Sequence, residues 1–196
     1  ALYYFNVGNF SKSILMATEL ANIYKEEFEN LNKDSRLRDL YAVNYASSLS
    51  NLATYETYIG NYDKAIELEQ TGIDVLKDVF PESSSAYASY YASSLNNLAT
   101  IYICLNRNSE AMAFLEKALT LKQQLLGEKN SSYIRTKSNL SACYFNLGAF
   151  DKAIELEEEV LQNYSSLFGE NSIDYYDYME NLACYYYKIG NYEKSN

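Results

Sequence analysis

Few side chains in this sequence could carry covalent or proton-transfer chemistry. Histidine is absent from all 196 residues, so no Ser-His or Cys-His nucleophile pair, histidine base or His-containing zinc site can be assembled. Cys104, Cys143 and Cys184 form no C-x-x-C and cannot all pair, which reads as buried thiols in a reducing compartment. Glu155, Glu157, Glu158 and Glu159 crowd one stretch. With no base, metal ligand or phosphate loop nearby, they read as a solvated helix face rather than as catalytic carboxylates. Glycine-rich nucleotide motifs are missing. A calcium loop fails because Asn61–Asp63 runs straight into helical sequence. No catalytic residue, metal or cofactor is therefore expected. What does recur is an amide. Asn51, Asn97, Asn139 and Asn181 each stand directly before a leucine, and an amide both donates and accepts hydrogen bonds. The available chemistry is recognition.

The charge balance narrows what could be recognised. With 26 acidic and 16 basic side chains the net charge is −10, which excludes the counterion release that drives nucleic-acid binding and disfavours anionic membranes. A 48% hydrophobic content with one proline gives enough apolar surface to fold. No apolar stretch approaches the roughly 20 residues of a membrane span, and the opening ALYYFNVGNF lacks the basic region of a secretion signal. A cytoplasmic location is expected.

The elements that position the amides come from internal repetition. Gly60-Asn61-Tyr62-Asp63-Lys64-Ala65-Ile66-Glu67-Leu68-Glu69 returns as Gly148-Ala149-Phe150-Asp151-Lys152-Ala153-Ile154-Glu155-Leu156-Glu157. Related openings occur at Gly8, Asn106 and Gly190, so equivalent positions are spaced by 52, 46, 42 and 42 residues. Ahead of each turn lies a second block: Leu49-Ser50-Asn51-Leu52-Ala53, then Leu95–Ala99, Lys137–Ser141 and Met179–Ala183. Tyr91, Leu95, Leu98 and Tyr102 share one helical face; Ala65, Leu68, Gly72, Ile73 and Leu76 form a second apolar stripe. Each unit therefore reads as two helices, A and B, of about 18 residues and about 27 Å. Glycine, or Asn106 in one copy, closes helix A in a left-handed conformation. Gly72, on helix B, lets neighbouring helix axes approach closely.

These residues resemble a tetratricopeptide repeat (TPR), in the long 42-residue form of the kinesin light chain. The carrying signature is Leu-Ala-x-x-Tyr-x-x-Leu-Gly-x-Tyr/Phe-x-x-Ala, seen in Leu182–Tyr192, with Tyr91–Ala99 and Leu126–Asn130 close to the family pattern. Departures are Glu56 for an aromatic, Asn108 for the turn aromatic, Lys137 for a core leucine, and Asn130-Ser131 and Asn171-Ser172 for the usual His-Pro. The resemblance implies an all-α fold, an α-α superhelix (TPR solenoid) of antiparallel helix pairs. The division expected is partial repeat 1 over 1–34, repeat 2 over 35–81, repeat 3 over 82–128, repeat 4 over 129–170 and partial repeat 5 over 171–196. Truncated end repeats imply a piece of a longer protein, and self-association through uncapped terminal repeats.

The resemblance also implies a concave groove lined by the A helices, toward which the residue before each core leucine points. Asn51, Asn97, Asn139 and Asn181 would then form a ladder holding the backbone of an extended peptide; alternatively each bonds within its own repeat. Thr54, Tyr58, Thr100, Arg135, Phe145, Asn146, Tyr187 and Lys188 would complete the groove. Only Arg135 and Lys188 supply positive charge there, unlike a lysine-rich carboxylate clamp, so a segment with aromatic or basic side chains is the expected ligand. Of the 22 tyrosines, most fill the space between repeats, while the runs at 175–178 and 185–187 circle the helix and must leave some exposed. The function expected is a non-catalytic module binding a protein or extended peptide. The alternative is the regulatory or sensor arm of a larger signalling protein or protease, of the CHAT or nucleotide-switch type.

Overall fold

A computed structural model describes residues 1–33, 35–82 and 84–190. Asn191–Asn196, where the sequence places the start of a fifth helix B, lie outside the described residues. The described residues form helices throughout: α1 (Leu2–Asn6), α2 (Phe10–Asn30), α3 (Arg36–Tyr58), α4 (Tyr62–Val79), α5 (Ser85–Cys104), α6 (Asn108–Leu126), α7 (Ser131–Asn146), α8 (Phe150–Phe168) and α9 (Ile173–Lys188). Helix A of successive repeats is α1, α3, α5, α7 and α9; helix B is α2, α4, α6 and α8.

Local chemistry sets the ends. Asn9, Ser35, Asn130 and Ser172 accept backbone N–H bonds at the starts of α2, α3, α7 and α9, satisfying donors that have no partner inside the helix. The turn from α3 to α4 passes through Gly60 at φ 83°, and the turn from α5 to α6 through Asn106 at φ 57°. Asn106 thus takes the left-handed conformation its place in the repeat requires.

The chain divides into two compact units, Ala1–Ile101 and Tyr102–Asn196. In the first, Leu49, Leu52 and Ala53 of α3 are buried with Ala65, Leu68, Ile73 and Leu76 of α4 and with Leu95, Leu98 and Ala99 of α5. Gly72 is the tightest point: a Cβ there would lie 2.2 Å from Tyr90 Oη, which itself donates to the Ala46 carbonyl at 2.8 Å. In the second unit Ile134, Val160, Tyr164 and Tyr178 form a core cluster, with the rings of Tyr164 and Tyr178 edge to face at 5.3 Å.

The departures from the repeat pattern are accommodated by polar pairing. Glu56 is buried and accepts from Asn61 Nδ2 at 2.8 Å. Lys137 pairs with Glu159. Asn108 is buried and donates to Asn106 Oδ1 at 3.0 Å. Two expectations are corrected. Glu157 does not belong to a solvated face: it is 0% exposed, whereas Glu155, Glu158 and Glu159 are exposed. The cysteines are not all buried either, since Cys143 is buried but Cys104 and Cys184 are exposed, all as free thiols.

Candidate functional site

The four asparagines lie on the A helices α3, α5, α7 and α9, one per helix. Their surroundings differ. Asn51 is exposed on α3; Asn97, Asn139 and Asn181 are half-buried. Asn97 Nδ2 donates at 2.9 Å to Ser50 Oγ and at 2.9 Å to Glu69 Oε1. Ser50 Oγ in turn donates to the same carboxylate oxygen at 2.7 Å. The amide of α5 therefore closes over a carboxylate of α4 and a hydroxyl of α3, joining one helix pair to the next.

The second unit repeats the arrangement. Asn181 Nδ2 donates to Glu157 Oε1 at 3.2 Å and to Ser138 Oγ at 3.4 Å, and Ser138 Oγ donates to Glu157 Oε1 at 2.8 Å. Ser141 Oγ donates to the other oxygen, Glu157 Oε2. Burial raises the pKa of both Glu69 and Glu157 above the ordinary carboxylate range, and the Asn and Ser donors pull part of the way back. Asn97 and Asn181 are thus bonded neither inside their own repeat nor to solvent alone; they bridge to the preceding helix pair.

Sequence reasoning passed over Glu69 and Glu157 as site-forming residues. The signal was present: each lies four residues after a buried alanine (Ala65, Ala153) and on the apolar stripe of helix B. A charge at such a place is buried and must be paired.

The remaining expected groove residues are distributed along the same helices. In the first unit Thr54, Tyr58 and Thr100 are exposed and line a small recess with Ala53, Thr57 and Ile101, and Tyr58 packs edge-on against Phe5 at 4.6 Å. An open depression of about 450 Å³ runs between α3 and α5, lined by Val43, Ser47, Asn51, Ser89 and Ser93 among others. In the second unit Arg135, Asn146, Tyr187 and Lys188 are exposed, while Phe145 is half-buried and stacked on Tyr185 at 4.4 Å. Asn146 Nδ2 donates to Asn108 Oδ1 at 3.0 Å, so its amide helps to fix the start of α6. Among the tyrosines, Tyr178, Tyr185 and Tyr186 are buried; Tyr58, Tyr176 and Tyr187 are exposed by more than half.

Among the described residues no group of three or more His, Cys, Asp or Glu side chains could hold a metal ion, and no helix is long and apolar enough to cross a membrane.

Family models described as tetratricopeptide repeat match residues 46–84 and 92–131, and a second such model matches 132–195. The chain belongs to the tetratricopeptide repeat family. Solved TPR structures share its fold. The nearly identical TPR-like repeats of a kinesin-light-chain-type protein from Podosopora anserina align with a TM-score of 0.66 at 17% identity, covering 98% of this chain and 85% of that one. BtubC (BKLC) from P. vanneervenii aligns with a TM-score of 0.56 at 18% identity, over 95% of this chain and 86% of that one. The apo form of RapI gives 0.68 at 13% identity, over 98% of this chain and 48% of that one. No curated protein matches the chain. At these identities the likeness establishes the TPR solenoid fold and, through the family, a general protein-interaction role.

Proposed function

We propose that this TPR chain is a non-catalytic module that holds an extended protein segment along the exposed face of its A helices. The observation that carries this reading is the open depression between α3 and α5 that the exposed Asn51 lines, with Thr54 and Tyr58 exposed one and two turns further along α3. An exposed amide offers a donor and an acceptor to a peptide backbone, and an exposed tyrosine offers a large apolar contact with a polar tip. In the second unit Arg135, Tyr187 and Lys188 give the same kind of surface on α7 and α9. Within this proposal Asn97 and Asn181 hold the binding face in shape, while Asn51 supplies the backbone contact.

The side chains of the bound segment follow from charge. A net charge of −10 steers basic segments toward the protein and repels acidic ones, while the exposed Tyr58 and Tyr187 offer contact area to aromatic side chains. A peptide array probed with the purified chain tests this: binding is expected to favour basic and aromatic peptides and to weaken about tenfold in Asn51→Ala/Tyr58→Ala. Strict preference for acidic C-termini would refute it. We also infer self-association through Met16, Leu20 and Ile23, which share one face of α2 and are each at least 40% exposed. Sedimentation at rising concentration should show a dimer that Leu20→Glu abolishes; a monomer throughout would remove the idea.

A further inference from the structure

The outer face of α2 carries a charge order as well as apolar side chains. Ser13, Ala17, Ala21 and Phe28 are the buried residues of this helix, while Lys12, Met16, Leu20, Ile23 and Glu27 are all exposed. The last five follow one another at spacings of four, four, three and four residues, which sets them in one line along one helical face. Three apolar side chains therefore stand between a cation and an anion about 22 Å apart along the helix. The cation is held at its end of the line, with Lys12 Nζ 4.2 Å from the centre of the Tyr4 ring on α1. Lys25 belongs to another face, where it pairs with Glu29 at 3.9 Å.

This order is complementary to its own reverse. When a second copy of α2 lies antiparallel with its Glu27 against Lys12, Met16 falls opposite its Ile23, and the two Leu20 side chains meet beside the axis. Every contact then occurs twice, as a two-fold interface between identical chains requires. Parallel pairing would instead set Lys12 against Lys12 and Glu27 against Glu27, with repulsion at both ends. The charges thus select both the occupant and its direction. A partner of any other sequence would have to present an acidic, apolar and basic order at the same spacing, which a second copy supplies by symmetry.

We propose that this line is the contact of a two-fold homodimer, in which α2 packs antiparallel on α2 of a second copy and Lys12 of each chain pairs with Glu27 of the other. The inference rests on the self-association read above from Met16, Leu20 and Ile23, and adds its geometry and the ion pairs that fix it. Covering those three side chains supplies the attraction. The exposed ion pairs set register and direction more than strength. Glu19, also exposed, flanks the line beside the axis, so the two copies of Glu19 face each other and limit the affinity. One helix against one helix covers less than about 1,200 Å² in total, the range of weak and transient interfaces.

Sedimentation equilibrium of the intact chain at rising concentration and physiological ionic strength tests the pairing through charge reversal. The unaltered chain should dimerise. Lys12→Glu and Glu27→Lys, each alone, bring like charges together at both ends and should weaken the dimer about tenfold. Mixed in equal amounts, the two variants should form a heterodimer, because both ends then join opposite charges. The chain carrying both reversals should regain most of the original affinity. All these positions are exposed, and circular dichroism should show unchanged helix content in every variant. A dimer that Leu20→Glu abolishes but that neither charge reversal weakens would overturn the antiparallel pairing and leave the self-association standing. Failure of the two variants to rescue each other on mixing, with each of them weakened alone, would overturn it in the same way. A monomer at every concentration, or assembly beyond two chains, would overturn both. Peptide capture along the A helices is read separately from the array and survives either failure.

Discussion

The amide of Asn97 on α5 donates at 2.9 Å to the carboxylate of Glu69 on α4, and Asn181 on α9 repeats the contact with Glu157 on α8 at 3.2 Å. A buried acid on helix B is thereby tied to the helix A that follows it. Removing the amide leaves the carboxylate short of a donor, so Asn97→Ala should cost about 1–3 kcal/mol. Asn51→Ala, at an exposed position of α3, should change stability by no more than about 0.5 kcal/mol. Urea unfolding of the two variants measures the difference; equal small effects would remove the structural role assigned to Asn97.

The buried acids also fix a pH dependence. Burial holds Glu69 and Glu157 above the usual carboxylate value of 4.5. The folded chain therefore binds protons that the unfolded chain has released. The contribution is fully present below 4.5 and is lost as the pH rises through the folded values. Stability should decline across that interval, and Glu69→Gln with Glu157→Gln should flatten the decline. Urea midpoints taken from acidic to neutral pH provide the check, and an unchanged slope in the double variant would contradict it.

Lys122 works in the opposite sense. It is buried, donating to Thr136 Oγ1 at 2.7 Å and the Ser132 carbonyl at 3.3 Å, and burial with nearby Arg135 lowers its pKa to about 8. Its stability contribution is complete only above its unfolded value near 10.5 and is lost as the pH falls through about 8. In thermal unfolding, relative to Lys122→Met, the wild-type chain should gain stability on the order of 1 kcal/mol between about pH 8 and pH 9. The comparison cancels the buried tyrosines, which burial holds above their ordinary 10.0 and which act against the fold as the pH nears that value. A constant difference between the two proteins would contradict this role for Lys122.

Gly72 is set by its neighbour. A Cβ would meet Tyr90 Oη at 2.2 Å and Tyr90 Cζ at 3.2 Å, so Gly72→Ala should destabilise by about 1–3 kcal/mol through overpacking. Tyr90→Phe removes the first of those atoms and should recover part of the loss in the double variant. Strict additivity of the two changes would contradict this contact.

Much of the architecture was legible because a solenoid writes its period into the chain. The left-handed Asn106, the apolar stripe of α4 and the small residue at Gly72 all stand where the repeat puts them. The amides were legible as positions but not as partners. Which hydrogen bond Asn97 makes depends on Ser50 and Glu69, residues 47 and 28 positions away, and a single sequence does not print that pairing. Glu157 was misread for a related reason. Glutamate on helix B is ordinarily solvated, and its neighbours Glu158 and Glu159 are exposed. Only its place on the apolar stripe marks it out.

The claim on which the functional account turns is that the A helices carry the binding face. Hydrogen-exchange protection by a peptide selected from the array measures it directly. The account predicts slowed exchange on α3 and α5, centred near Asn51, Tyr58 and Thr100, with α4 unaffected. Protection concentrated on the outer surface of α2 or α4, with α3 and α5 unchanged, would contradict it.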